Sequence, residues 1–213
     1  MMALPSTLVI RTVTETLPGA VRAEPDVDLS CELDEDNLPV LNGSRVRARL
    51  RDAVLTRLNF FDEEDQRRAH EIFPPEHSWG EPVVTGFTAR LREPERSTLL
   101  AAMRREPQPQ RLGVDQLLQM LTVVRYRTAN DQTGAPQHGT LRSERRLRPG
   151  VEFHARLRWN TSSTEEHAAV LASAALGMRQ IGRGGSGQVT AYLDDREQTV
   201  ARARTIWERS HTA

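Results

Sequence analysis

Five stretches of this chain carry the apolar and polar spacing of strands. They are "STLVIRTVTET" (6–16), "VVTGFTARL" (83–91), "TVVRYRT" (122–128), "VEFHARLRW" (151–159) and "QVTAYL" (188–193). In 151–159, Val, Phe, Ala, Leu and Trp alternate with polar partners, the mark of a half-buried strand. Helical spacing appears elsewhere. Val46, Leu50, Ala53, Val54 and Leu58 share one face of a helix from Arg45 to about Asn59, with Ser44 as its expected cap. The strongest helix is "STEEHAAVLASAALGMRQI" (163–181), with a Ser/Thr cap, early acids and an apolar stripe. Shorter helices are expected at 94–106 and 113–121, and an amphipathic one at 194–210. Residues 17–42 and 129–150 read as loops rich in turn residues, and 62–82 as an irregular charged segment.

Setting insertions aside, the order is β–α–β–β–β–α–β. That predicts an α+β fold, a split βαβ or ferredoxin-like core with an extra hairpin. The length of 213 residues suits a single domain. Such folds host many functions, so function must be read from sites.

Composition narrows the chemistry. Net charge is zero, with 29 acids against 29 basic residues, and the basic residues are all arginine. Each therefore offers a planar fork suited to phosphate. The single Cys31 excludes an intrachain disulfide and a multi-cysteine zinc site. "MMALPSTLVIRT" lacks the pattern of a signal peptide, and no stretch approaches a membrane span. The expectation is a soluble cytoplasmic protein with no membrane partner. The six histidines form no H-E-x-x-H pair. His70 and His77 are expected in an exposed insertion, and His154 and His167 on the surface. No G-x-S-x-G elbow occurs, so nucleophilic catalysis has no support. Aromatics are 5% of the chain, so base stacking is not the expected main grip on a nucleic acid.

Charge is nevertheless separated locally. "VDLSCELDEDNLPVLNGSRVRARLR" (27–51) opens with five acids and closes with Arg45, Arg47, Arg49 and Arg51. Arginines in a first helical turn oppose the helix dipole, by about 0.3–1 kcal/mol each. Two things can offset that: the upstream acids as neutralising neighbours, or a phosphate at the Gly43-Ser44 amides. Downstream, "IGRGGSGQV" spells G-x-G-x-x-G through Gly182, Gly184 and Gly187. A helix precedes it and a strand follows, the reverse of a dinucleotide fingerprint. It is either a tight turn needing positive φ or a backbone surface that approaches a phosphate or another chain, with Arg179 and Arg183 beside it.

Three segments together resemble the RAMP superfamily of CRISPR-associated proteins. "LPVLNGSRVRARLR" is similar to its "PYIPGSSLKGxxR" segment. "NDQTGAPQHGTLRSERRLRPGVEF" is similar to "IDRxTGxAxxGxLxxxExxPxGxxF". "ALGMRQIGRGGSGQV" is similar to the glycine-rich "LGGxRxxGxGxV" loop. They cover residues 38–189 in the right order. The closer resemblance is to the repeated backbone subunit of type III (Csm or Cmr) effector complexes.

That resemblance implies a modified RRM-like core in one RAMP-type domain, with an insertion at about 60–82, a thumb at about 129–150 and a glycine-rich loop at 182–187. It implies copies of the chain side by side along a guide RNA, with other effector subunits. It also implies endoribonuclease cleavage of bound target RNA at regular intervals, by a loop aspartate with a divalent metal (Mg or Mn). Arg47 stands at the family's guide-contacting lysine and Arg51 at its arginine. The implied RNA-binding set is Gly43, Ser44, Arg45, Arg47, Arg51, Thr133, Arg179, Arg183, Gly184 and Gly185. Asp28, ten residues before the Leu38 of the "LP" step, is the implied catalytic and metal-holding residue, ahead of Asp26, Asp34 and Asp36.

The chain departs from the family at four points. Ala48 replaces a glycine, Asn42 a proline and Gln132 an arginine, and "LPGA" stands for "HIGG". A non-catalytic scaffold paralogue is therefore an alternative. A guide-precursor endonuclease fits less well, since those carry a histidine and two cores. A small-molecule binder on a ferredoxin-like fold is the unrelated reading.

Overall fold

The computed structural model describes residues 3–19, 27–75, 81–105, 112–128, 140–182 and 187–212. The first strand, β1 (Thr7–Thr12), is an interior strand of a five-stranded sheet, next to one edge. A short β2 (Val40–Leu41) leads into helix α1 (Gly43–Leu55), which buries Val46, Leu50, Ala53 and Val54, the face expected from the spacing. A single 3-10 turn (Leu58–Phe60) separates it from α2 (Glu63–Ile72).

Helix α2 corrects the expectation of an irregular segment at 62–82. Its sequence is too polar for an apolar stripe to stand out, but its start is strongly signalled. The Asp62 side chain accepts the Asp65 amide at 2.7 Å, and Glu63, Glu64 and Asp65 fill the first turn. Acids there favour the positive end of the helix. Asp65 is fully buried between Arg68 (2.9 Å) and Arg209 (2.8 Å), which fastens α2 to the last helix.

The predicted strand 83–91 is two strands, β3 (Val84–Thr85) and β4 (Ala89–Leu91). Gly86 divides them at φ 88°, where an added Cβ would lie 2.1 Å from the Arg156 carbonyl oxygen. Gly86→Ala combines a left-handed backbone with a clash against main chain. We expect a loss of at least about 2 kcal/mol, seen as a fall of about 4–8 °C in melting temperature.

Helices α3 (Glu95–Met103) and α4 (Val114–Leu121) follow, then β5 (Thr122–Arg127) and β6 (Arg142–Leu147). The stretch 122–128 is a strand, as expected. Among the described residues β5 pairs with β6 alone, as a separate two-stranded hairpin registered from Thr122↔Leu147 to Arg127↔Arg142. Four of the six residues of β5 are Thr, Arg or Tyr, and its outer half is exposed, so it has too little apolar surface for a buried sheet position.

The chain ends with β7 (Glu152–Arg156), β8 (Arg158–Trp159), α5 (Glu165–Gly177), β9 (Val189–Leu193) and α6 (Arg196–Thr212). The main sheet has the order β2-β4-β7-β1-β9, all neighbours antiparallel. Leu8 and Ile10 of β1 stand in register with Ala155 and Phe153 of β7 and point to one face, the core. Helix α5 covers it and is buried from His167 to Ala175, because α1, α2, α6 and β9 all pack on it. This explains why nine consecutive residues are buried where the sequence suggested a stripe. The fold is α+β. Among the described residues no helix is long and apolar enough to cross a membrane.

Two histidine expectations change. His167 is buried, its Nδ1 accepting the Thr164 amide at 3.1 Å and its Nε2 lying 2.6 Å from Glu71. His154 is half-buried beside Glu152 at 3.0 Å. His70 is exposed as expected, and His77 lies outside the described residues.

Candidate nucleic-acid interface

Asn42, not Ser44, caps α1. Its side-chain oxygen accepts the Ser44 amide at 3.0 Å and the Ser44 hydroxyl at 2.7 Å, and its own amide donates to Glu32 at 3.2 Å. Asn is as strong a cap as Ser, so the sequence signal moves two residues upstream. Gly43 starts the helix where a Cβ would lie 2.7 Å from Thr88 Oγ1 and 2.8 Å from its amide nitrogen. Glycine is needed there for a close approach, not for its dihedral.

The arginines of α1 are not neutralised by the acids that precede them. The Asp34 side chain is only 3% exposed and pairs with Arg96 at 2.5 Å, while Asp36 pairs with the other nitrogen of the same guanidinium. Glu35 takes Arg90 at 2.5 Å, which holds its carboxyl below the ordinary carboxylate range. Asp34 also accepts the amides of Asp36 and Leu38, each at 3.0 Å, so these acids cap a turn as well as pairing across it. Among the described residues Arg45, Arg47 and Arg51 form no ion pair. The guanidinium of Arg45 packs against Gly19, where an added Cβ would come within 2.4 Å of Cζ, and its Nε is buried without a hydrogen-bond partner. Arg49 pairs with Asp52 at 3.4 Å and donates to the Gly182 carbonyl at 3.4 Å. Arg49 thus joins α1 to the start of the glycine-rich segment, a link that spacing alone could not supply.

Arg179 is exposed at the end of α5. The far end of the loop, Gly187, has φ 89° and faces Thr16 so closely that a Cβ would lie 2.7 Å from its Cγ2. Gly187 thus has the positive φ that the turn reading anticipated, with the added role of close approach. Thr133, Arg183, Gly184 and Gly185 lie outside the described residues.

Asp28 stands on the hairpin. Its Oδ2 accepts the Ser143 amide at 2.7 Å and the Ser143 hydroxyl at 2.9 Å, and its own amide donates to Ser143 Oγ at 3.0 Å. The next residue, Leu29, bridges Glu144 through paired backbone bonds. The two hydrogen bonds from Ser143, with the attraction of Arg142, hold the exposed Asp28 carboxyl below its usual range. At the other end of β6 Thr16 exchanges backbone hydrogen bonds with Leu147. Ser143 and Leu147 are four residues apart, about 13 Å along a strand. Glu15 takes Arg125 across the same hairpin at 2.8 Å, which lowers the pKa of Glu15. Asp28 and Thr16 therefore both bond to β6, Gly187 lies against Thr16, and Arg49 ties α1 to Gly182.

Among the described residues no group of three His, Cys, Asp or Glu side chains forms a metal site. Asp28 alone is one carboxylate. Magnesium is commonly held by one or two carboxylates with water and substrate phosphates, so the residue fits such an ion only together with RNA oxygens.

No protein-family model matches the chain, and no curated protein does. Solved structures do. A chain of the type III-B Cmr-beta complex in its apo state, determined by cryo-EM, superposes with a TM-score of 0.65 at 12% identity, covering 90% of this chain and 98% of that one. A chain of Cmr-beta bound to cognate target RNA gives 0.61 at 10% identity, covering 92% and 99%. The chain has the fold of these complex components along nearly its whole length.

Proposed function

We propose that this chain is a guide-RNA-binding backbone subunit of a type III CRISPR ribonucleoprotein. On this reading its strand order β9-β1-β7-β4 is an RRM-like, ferredoxin-like core and the β5–β6 hairpin is the thumb. Copies line up along the guide, other effector subunits complete the complex, and target RNA is cut beside each copy at Asp28. One observation carries the RNA-binding part: the first turns of α1 present Arg45, Arg47 and Arg51 with no acid paired to them among the described residues, since Asp34, Glu35 and Asp36 are engaged by Arg90 and Arg96. An anion at the Asn42-capped helix start supplies the missing charge. The like fold in a complex bound to target RNA supports the same assignment.

For cleavage, attack by the ribose 2′-hydroxyl requires in-line geometry and a nearby carboxylate to orient the hydroxyl or accept its proton. A divalent ion, when bound, would neutralise charge developing on the phosphate. A scaffold-only reading has its own support, because the Oδ2 of Asp28 already accepts two hydrogen bonds from Ser143.

RNA binding is tested with the triple variant Arg45→Ala/Arg47→Ala/Arg51→Ala, titrated with single-stranded RNA across a salt series. Each phosphate contact contributes about 0.7 to the slope of log K against log salt, so losing three should flatten it by about 2. An unchanged slope and affinity would remove α1 from the interface. Absence of RNA binding by the natural sequence at low salt would instead favour a small-molecule binder.

A further inference from the structure

Asp28 is exposed, yet its backbone and side chain are both fixed. The contact with Ser143 is reciprocal: the Asp28 amide donates to the serine hydroxyl, and the serine amide and hydroxyl both donate to Asp28 Oδ2. The flanking backbone bonds, Leu29 amide to Ser143 carbonyl at 3.1 Å and Arg145 amide to Leu29 carbonyl at 2.8 Å, hold the two segments in register. Ser143 itself is 8% exposed, so its hydroxyl is shielded from competing water. Serine is the only residue of β6 whose side chain is small and polar; its neighbours Arg142, Glu144, Arg145 and Arg146 are long and charged. Arg146 and Glu144 pair with each other, so they do not substitute for it. A carboxylate held at one oxygen by two donors has its second oxygen directed by the first. That is the arrangement a group must have to meet a ribose hydroxyl repeatedly in the same place.

We infer that Ser143 is a positioning residue for Asp28, which fixes the carboxylate on the hairpin and so couples the hairpin's position to cleavage of bound RNA. This rests on the reading of Asp28 as the cleaving residue. It extends that reading by assigning the hairpin a part in setting the geometry. Whatever moves β6 relative to the body moves Ser143, and Asp28 with it. The same reciprocal contact then accounts for an otherwise awkward fact, that a solvent-facing loop aspartate is already partnered.

The test uses the complex assembled on guide RNA, with target RNA saturating, and single-turnover cleavage measured beside target affinity. Four variants are compared: Asp28→Ala, Ser143→Ala, Ser143→Val and Ser143→Thr. Valine and threonine share a shape and differ by one hydroxyl. The expected result is loss of cleavage in Asp28→Ala and cleavage slowed at least tenfold in Ser143→Ala and Ser143→Val. Ser143→Thr stays within about threefold of the natural sequence, and target affinity is unchanged in all four. If Asp28→Ala abolishes cleavage but the three Ser143 variants all cleave normally, the positioning role is wrong and the catalytic reading stands. If affinity and cleavage fall together in the Ser143 variants, Ser143 only supports the fold and the inference is overturned. If Asp28→Ala cleaves normally, the catalytic reading fails first and takes this one with it.

Discussion

Arg96→Ala should lower the stability of this protein by about 3–5 kcal/mol, the usual consequence of leaving a buried carboxylate without its cation. Asp34 has a side chain only 3% exposed, and Arg96 is its closest positive partner, at 2.5 Å. The same guanidinium holds Asp36, which would be left with Arg104 at 4.0 Å and partial access to water, so the loss falls chiefly on Asp34. Arg90 cannot replace it, lying 3.9 Å from Asp34 and engaged by Glu35. The turn amides of Asp36 and Leu38 remain on Asp34, which limits the loss without removing it. Urea unfolding of the purified chain measures the difference as a lower midpoint with an unchanged slope. The double variant Asp34→Asn/Arg96→Met should be milder than Arg96→Ala alone, since the uncompensated charge is gone. A loss below about 1 kcal/mol in Arg96→Ala would mean that water reaches Asp34 and the pair is a surface contact.

That arrangement explains which parts of the molecule were legible in the sequence. Helix α1 was, because Val46, Leu50, Ala53 and Val54 repeat at its period and bury against α5. So was β7, where Phe153 and Ala155 alternate with half-exposed or exposed polar residues. Helix α2 was not, because its buried face includes a charged residue, Asp65, held by Arg68 one turn along the same helix and by Arg209 from the last helix. Periodicity counts apolar residues and misses a buried ion pair. The partners of the acids of 34–36 were left open for a related reason. They sit beside the arginines of α1 in sequence, but the antiparallel pairing of β2 with β4 brings Arg90 to them, and the start of α3 brings Arg96. Proximity along the chain was a poor guide to charge partners once a strand pairing intervened. In the candidate site, the glycine loop and the helix start were visible as motifs. The contacts that join them were not, because Arg49 to Gly182 and Asp28 to Ser143 span 133 and 115 residues.

The acids therefore divide into two kinds, and Asp28→Ala should separate them. In the guide-loaded complex we expect this substitution to reduce cleavage of bound target RNA at least a hundredfold, about 3 kcal/mol of barrier, while guide and target affinity stay within twofold. Asp28 is exposed and its bonds go to one serine, so its removal leaves no buried charge behind. Melting temperature should change little. Asp34→Ala should do the opposite. It takes one of its two carboxylates from the buried Arg96, lowers stability, and slows cleavage only as far as the complex fails to assemble. Gel analysis of cleavage fragments, normalised to assembled complex, distinguishes the two. Fragments spaced evenly along the target, lost together in Asp28→Ala, are the result expected of a carboxylate repeated once per subunit. Unchanged fragments in Asp28→Ala would assign the chain to the scaffold of the complex and leave Asp28 as a hairpin tether.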